Sequence, residues 1–334
     1  TINLPPGGIG MVHDVLYLSY QDVVSLSIGL DSIIEAVEDA FKQKGMGLVE
    51  MPPKPGIHPR RDSFIHAMPA YLRGIDAAGL KWISGYPENP KRGLPYITGV
   101  FVLNDPDTGL PLAIMDATWL TAYRTAGATA VASKYLARRD SEVLAILGCG
   151  TQGRSNTIML TRVLPLKVVK AYDVNAKSLE SYESFVKERT DLKVIRASSP
   201  REALEGSDVV VTAGPILKEP NPVIEANWVK PGASAFPLDF DSYWKSSAIA
   251  SMDKFYTDDV AQFNYYVREG WIRPVERVSG ELAEVVAGAK PGREREDERI
   301  MCMNLGLAIL DVAVGKLIYE EAMRRKAGKL LPFL

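Results

Sequence analysis

Residues 143–156 read VLAILGCGTQGRSN, an apolar run that ends in a glycine-rich turn. Gly148, Gly150 and Gly153 stand at Gly-x-Gly-x-x-Gly spacing, a pattern that carries little alone because glycine turns often merely connect elements. The neighbouring residues give it a context. VLAIL predicts a strand, TQGRSNTIMLTRV (151–163) predicts a helix opening at Thr151 and Gln152, and KVVKAYD (167–173) predicts the next strand, closed by Asp173. In a dinucleotide-binding unit, Gly148 would make the tight turn, Gly150 would let the backbone approach a pyrophosphate, and Gly153 would bring helix and sheet together. The free amides at the helix start attract the phosphate charge. Asp173, twenty positions after Gly153, stands where a carboxylate accepts hydrogen bonds from the adenosine ribose and repels a 2′-phosphate. The expected cofactor is NAD rather than NADP.

Outward from this turn, the apolar rhythm changes character. From about residue 142, runs at VLAILG, KVVKAYD, LKVIRA, DVVVTAG, SAFPLDF and KFYTDD alternate with helical or loop segments, which predicts a mostly parallel sheet covered on both faces. Upstream, FIHAMPAYL, AGLKWISGY, TGVFVLND and LPLAIMDA are short runs parted by turn residues, as in an antiparallel sheet built of hairpins. Residues 31–44 place Ile33, Ile34, Val37, Ala40 and Phe41 on one helical stripe behind Asp31, a candidate N-cap. Residues 118–137 form a long helix rich in small side chains, and 301–327, MCMNLGLAILDVAVGKLIYEEAMRRKA, read as another. The second of these lies beyond the alternating region and is expected to return to the first domain.

Composition narrows the function. The 334 residues suggest two domains, and the formal charge of −2 gives no electrostatic case for nucleic acid or an anionic membrane. No apolar run has the length of a membrane span. Cys149 and Cys302 cannot make a disulfide framework, and three histidines show no zinc spacing, so no metal is expected. The start, TINLPPGGIGMVHDVLYL, lacks the basic and apolar regions of a secretion signal, which leaves the cytoplasm as the expected compartment. The partner is expected to be a small molecule.

If the second half holds the nucleotide, the first half must supply the substrate groups. Lys81, between Leu80 and Trp82 on a predicted strand, either points to solvent or carries chemistry. Arg124, early in the small-residue helix, either grips a carboxylate through two parallel hydrogen bonds or makes a surface ion pair. Asp239 and Asp241, in FPLDFDSYW, follow a buried-looking strand at the carboxyl edge of the presumed sheet, where open α/β sheets take their ligands. Each serves there as a helix cap or as a base.

The segments MPPKPGIHP, FIHAMPAYL, GLKWISGYPENP, LPYITGVFVLNDPDTGLPLAIMDATWLTAYRTAGATAVASKYLA and AILGCGTQG together resemble the ornithine cyclodeaminase and mu-crystallin family. The resemblance runs almost the length of the chain. It implies an α/β protein with a central Rossmann-type parallel sheet (126–304) and a discontinuous α+β substrate-binding and dimerisation domain (1–125 and 305–334). By resemblance, Lys81 and Asp241 are catalytic, and Arg124 and Lys54 bind the substrate, Arg124 at its carboxylate. The cofactor set is Gly148, Gly150, Thr151, Gln152, Gly153 and Asp173, with Thr125 from the preceding helix. The implied activity is NAD-dependent oxidoreduction at the Cα–N bond of a small amino or imino acid by a homodimer, with cyclodeamination of ornithine or a binding role as alternatives. Three departures point to an atypical pocket. Lys54 stands where many members have arginine, with Arg60 or Arg61 as possible substitutes; LDFDSYW brings Phe240 and a second carboxylate; and RIMCMNLG (299–306) replaces the usual run before the last helix.

Overall fold

The computed structural model describes residues 13–334, so the expectations for residues 1–12 fall outside the described residues. The chain opens with strand β1 (Asp14–Leu18), the short helix α1 (Tyr20–Ser25) and α2 (Leu30–Gly45). Helix α2 buries Ile33, Ile34, Val37, Ala40 and Phe41, the stripe expected from the period. Full burial of a side chain such as Ile33, Val37 or Phe41 is worth about 1.5–3 kcal/mol. Asp31 is not the cap: Gly29 holds that place without a side-chain bond, and Asp31 sits inside the first turn, paired with Arg162.

The first sheet follows, with β2 (Val49–Glu50), β3 (Gly56–Ile57), β4 (Phe64–Leu72), β5 (Ala77–Gly85), β6 (Ile97–Asn104) and β7 (Pro111–Asp116). Strands β4 to β7 pair antiparallel in sequence order, while β1 joins β7 in parallel. Alternation fixes the faces. On β5 the buried positions are Ala77, Gly79, Lys81, Ile83 and Gly85, so Lys81 points inward with apolar neighbours and not to solvent.

Helix α3 (Thr118–Leu136) leads into the second sheet and is buried nearly all round by its small residues. A cut at residue 125 would fall within it. Then come β8 (Val143–Leu147), α4 (Thr151–Leu160), β9 (Val168–Tyr172), α5 (Ala176–Arg189), β10 (Lys193–Arg196), α6 (Pro200–Leu204), β11 (Val209–Thr212) and β12 (Ser234–Pro237). Completing it are α7 (Ser246–Ala250), β13 (Lys254–Thr257), α8 (Val260–Arg268), β14 (Gly280–Glu281), α9 (Leu282–Val286) and β15 (Ile300–Met303). The order is β10-β9-β8-β11-β12-β15-β13-β14, all parallel. The direction of winding reverses between β8 and β11, and open sheets bind ligands in the crevice at such a point.

One expectation fails in this region. Residues 301–327 are not a single helix, because Ile300–Met303 is a central strand and the helix α10 (Ala308–Arg325) starts only after a loop. A short apolar run buried on both faces has no period that separates strand from helix. Helix α10 returns to the inner face of the first sheet, and β16 (Lys329–Pro332) then pairs with β1. A Cβ at either Gly79 or Gly315 would lie within 2.6 Å of the Phe101 ring, so glycine at both positions is what lets α10 settle on β5 and β6. This seating carries Asp311, one turn before Gly315, to the sheet. Among the described residues no helix is long and apolar enough to cross a membrane.

Candidate active site

The glycine turn is shaped as a cradle. Gly148 has φ +100°, and a Cβ there would come within 2.5 Å of the Ala213 carbonyl oxygen. At Gly153 a Cβ would press on the Gly148 carbonyl at 2.1 Å, whereas at Gly150 it would meet nothing within 4 Å. Gly150 caps α4 without a side-chain bond, leaving the first amides of the helix, at Thr151 and Gln152, without a side-chain acceptor. Asp173 accepts the Cys149 amide at 2.8 Å through one oxygen and the Asn175 amide at 2.8 Å through the other, tying the end of β9 to the turn. These features fit a dinucleotide: open space at Gly150, helix amides aimed at it and a carboxylate beside it. Thr125 is buried in α3, where its carbonyl oxygen accepts the Thr129 hydroxyl.

Lys54, Lys81 and Arg124, far apart in sequence, converge on one buried centre. Lys81 Nζ donates to Asp311 Oδ1 at 2.6 Å, and both side chains have 0% exposure. Arg124 Nε lies 2.9 Å from the same oxygen without the alignment of a hydrogen bond, and Asp311 Oδ2 has no partner. Lys54 Nζ donates to the Leu305 and Gly306 carbonyl oxygens at 2.7 and 3.2 Å. The loop after β15 closes this cluster. Gly306 has φ +85°, donates its amide to Asp258 Oδ2 at 2.7 Å, and leaves room for Arg124 Nη1 where a Cβ would sit only 2.6 Å away.

Burial dominates the electrostatics. It lowers Lys81 to about 7, with the Arg124 charge adding to the effect and Asp311 opposing it. Lys54 falls to about 8 by burial and then by Arg124, against Asp258. Beside them, burial and the Lys54 charge hold His66 down to about 2, a neutral imidazole at any working pH.

The two expected carboxylates at the end of β12 take other partners. Asp241 accepts Arg273 Nη1 at 2.7 Å and the Arg273 amide at 3.0 Å. Burial raises its pKa and Arg273 opposes that rise. Asp239 accepts the Thr212 hydroxyl at 2.6 Å and the Gly214 amide at 3.0 Å, and burial raises it to about 7. Neither is hydrogen-bonded to Lys54, Lys81 or Arg124. Arg60 and Arg61 do not replace the missing arginine either: Arg60 Nη1 donates to the Pro59 carbonyl oxygen, and Arg61 makes an exposed pair with Glu219.

Asp311 escaped the sequence reading, although a signal was there. A lone carboxylate in AILDVAVG interrupts an otherwise apolar helix, and a buried charge requires a counter-ion.

The sequence profile of the Ornithine cyclodeaminase/mu-crystallin family matches residues 14–326. The alanine dehydrogenase of Archaeoglobus fulgidus is 38% identical over 329 residues, covering 96% of this chain and 99% of that one. Among solved structures, the Thermococcus litoralis Δ1-pyrroline-2-carboxylate reductase in complex with NADH and L-proline superposes with a TM-score of 0.84 at 34% identity, covering 94% of this chain and 99% of that chain. An archaeal alanine dehydrogenase dimer with bound NAD gives 0.86 at 37%, covering 96% and 100%. With both sheets inside the matched span and relatives aligned end to end, the chain belongs to the ornithine cyclodeaminase/mu-crystallin family.

Proposed function

We propose that this protein is an NAD-dependent oxidoreductase that acts at the Cα–N bond of an amino or imino acid, as an amino-acid dehydrogenase or imine reductase. The observation that carries the reading is the convergence of three buried basic side chains, Lys54, Lys81 and Arg124, on one centre. Lys81 and Arg124 share one oxygen of Asp311, whose other oxygen has no partner, while Lys54 rests on two backbone carbonyls with the Asp258 charge nearby, so a substrate carboxylate here meets three cationic donors. The Arg124 fork and Lys54 hold that carboxylate, and Lys81 holds or releases a proton at Nζ near neutral pH. NAD, when bound, supplies the hydride acceptor, or as NADH the donor. In the oxidative direction the Cα–H hydride and an amine proton leave, giving the imine, which water converts to the 2-oxo acid and ammonia. Asp241, clasped by Arg273, serves as the further base. The relatives named as alanine dehydrogenase and Δ1-pyrroline-2-carboxylate reductase support this reading.

The working unit is a homodimer. The outer face of the first sheet aligns Ala67, Trp82 and Val100 across β4, β5 and β6, beside Pro69, Leu80, Val102 and Ile114. Trp82 is 44% exposed and Val100 43%. Such an apolar sheet face calls for a cover, and a second copy supplies a self-complementary one. Two buried free thiols, Cys149 and Cys302, suit a reducing cytoplasm.

The test is NADH formation or consumption, followed by fluorescence, across a panel of amino acids and of 2-oxo acids offered with amines. Stoichiometric exchange with at least one small acid is expected. Tight NAD binding with silence on every substrate would instead indicate a binding protein.

A further inference from the structure

A small aromatic chamber adjoins the cationic cluster, at the junction of the two sheets. It has a volume of about 20 Å³ and is bounded by Phe64, His66, Phe240, Tyr266 and Trp271. The cluster and the chamber share walls. Lys54 Nζ lies 5.4 Å from the centre of the Tyr266 ring, and His66 occupies the inward face of β4 next to Met68, the residue opposite Lys81. A substrate carboxylate held by Lys54 would therefore lie next to the Tyr266 wall of this chamber, within reach for a substituent on its Cα.

We infer that the chamber receives the substrate's side chain and selects a short, uncharged one, so that the acid used is alanine-like rather than a diamino acid; the inference rests on the oxidoreductase reading above.

Size is the first argument. A space of about 20 Å³ accommodates a single water-sized or methyl-sized group, since one water needs roughly 10–15 Å³ by this measure. The walls are also fixed. Phe64 stacks on His66 with ring centres 4.4 Å apart, and Phe240 meets Tyr266 at 5.0 Å. Phe240 holds φ +59°, a left-handed conformation that is uncommon for a bulky residue and keeps its ring in the chamber wall.

Charge is the second argument. A distal ammonium would lose its hydration here and find no carboxylate facing it. His66 is neutral, and Lys54 and Lys81 nearby repel a further cation. The acids in the neighbourhood already face other groups: Asp241 faces Arg273, Asp239 Thr212 and Gly214, Asp258 the Gly306 amide, and Asp311, although its Oδ2 has no partner, is held at Oδ1 against Lys81 and Arg124. The Tyr266 hydroxyl has no partner, but it carries no charge to offset an ammonium.

Calorimetric titration of the enzyme saturated with NADH, where no oxidation can occur, reads side-chain selection apart from chemistry. The ligands are alanine, norleucine and ornithine, the last two matching in length but differing in the terminal charge. Alanine should bind most tightly and ornithine about tenfold or more weaker than norleucine, the order expected for an uncompensated buried charge. Phe240→Ala should narrow the gap between alanine and norleucine about fivefold or more and leave ornithine excluded. Ornithine binding as well as norleucine, or norleucine as well as alanine, in the unaltered protein would overturn the inference. Hydride exchange measured in parallel keeps the two readings apart. The expected binding order without exchange from any acid would sink the oxidoreductase reading alone, whereas exchange that favours ornithine over alanine would sink the side-chain assignment alone.

Discussion

Asp311 Oδ1 accepts a hydrogen bond from Lys81 Nζ at 2.6 Å across a separation of 230 positions, and both groups are shut off from water. The pair joins α10, near the end of the chain, to β5 near its start. Its removal exposes the cost of the cluster. Asp311→Asn leaves Lys81 and Arg124 without their shared counter-ion, and breaking a buried pair from one side costs about 3–5 kcal/mol. Denaturant titration should show a loss of that order, and Lys81→Met with Asp311→Asn should recover part of it.

Lys81 also sets a pH dependence whose sign is fixed by its depressed pKa. The folded value is about 7 against an ordinary 10.5, so the unfolded chain binds the extra proton between those values. Stability from this residue is therefore present above about pH 10.5 and lost as pH falls to about 7. Asp239 behaves differently: raised from 3.8 to about 7, it contributes stability below pH 3.8 that is lost as pH rises to about 7. Lys81→Met should flatten the alkaline window and Asp239→Asn the acidic one, each measured by denaturant midpoints across pH.

The two aspartates after β12 should separate kinetically. Asp241→Asn keeps the shape of the side chain but removes a base, so turnover should fall about a hundredfold with NAD affinity unchanged. Asp239→Asn loosens the turn at Gly214, which packs near Gly148, and should raise KM for NAD with a smaller effect on turnover. The reverse pattern would move the base to Asp239.

Cofactor choice is expected to depend on Asp173. NAD should bind about tenfold or more tightly than NADP, through repulsion of the extra phosphate. Asp173→Ser should narrow that gap and, by freeing the Cys149 amide, cost about 1 kcal/mol of stability. Equal affinities in the unaltered protein, measured by fluorescence quenching, would count against this role.

Assembly can be tested through the outer sheet face. Trp82→Glu places a carboxylate between Ala67 and Val100 and should shift a dimer to a monomer in light scattering at micromolar concentration. A wild-type protein that is monomeric under the same conditions would remove the dimer.

The sequence alone determined what local geometry governs. Glycine spacing at 148, 150 and 153 follows from backbone requirements within one turn, and all three sites show the close approach or open space that the spacing demands. Strand period placed the hairpin sheet, and the helical stripe from Ile33 to Phe41 is buried as its period requires. Family membership was also legible, because its motifs are contiguous runs. Tertiary structure decided the rest. Whether Lys81 met water or an acid depended on α10 settling over Phe101, which is a matter of packing between distant glycines. Residues 300–303 became a strand because the centre of a parallel sheet buries both faces and erases the period. Asp241 met Arg273, and Asp239 met Thr212, through loops whose courses are set by long-range contacts. A buried charge in the sequence announces only that it needs a partner; the identity of that partner is fixed when the chain closes on itself.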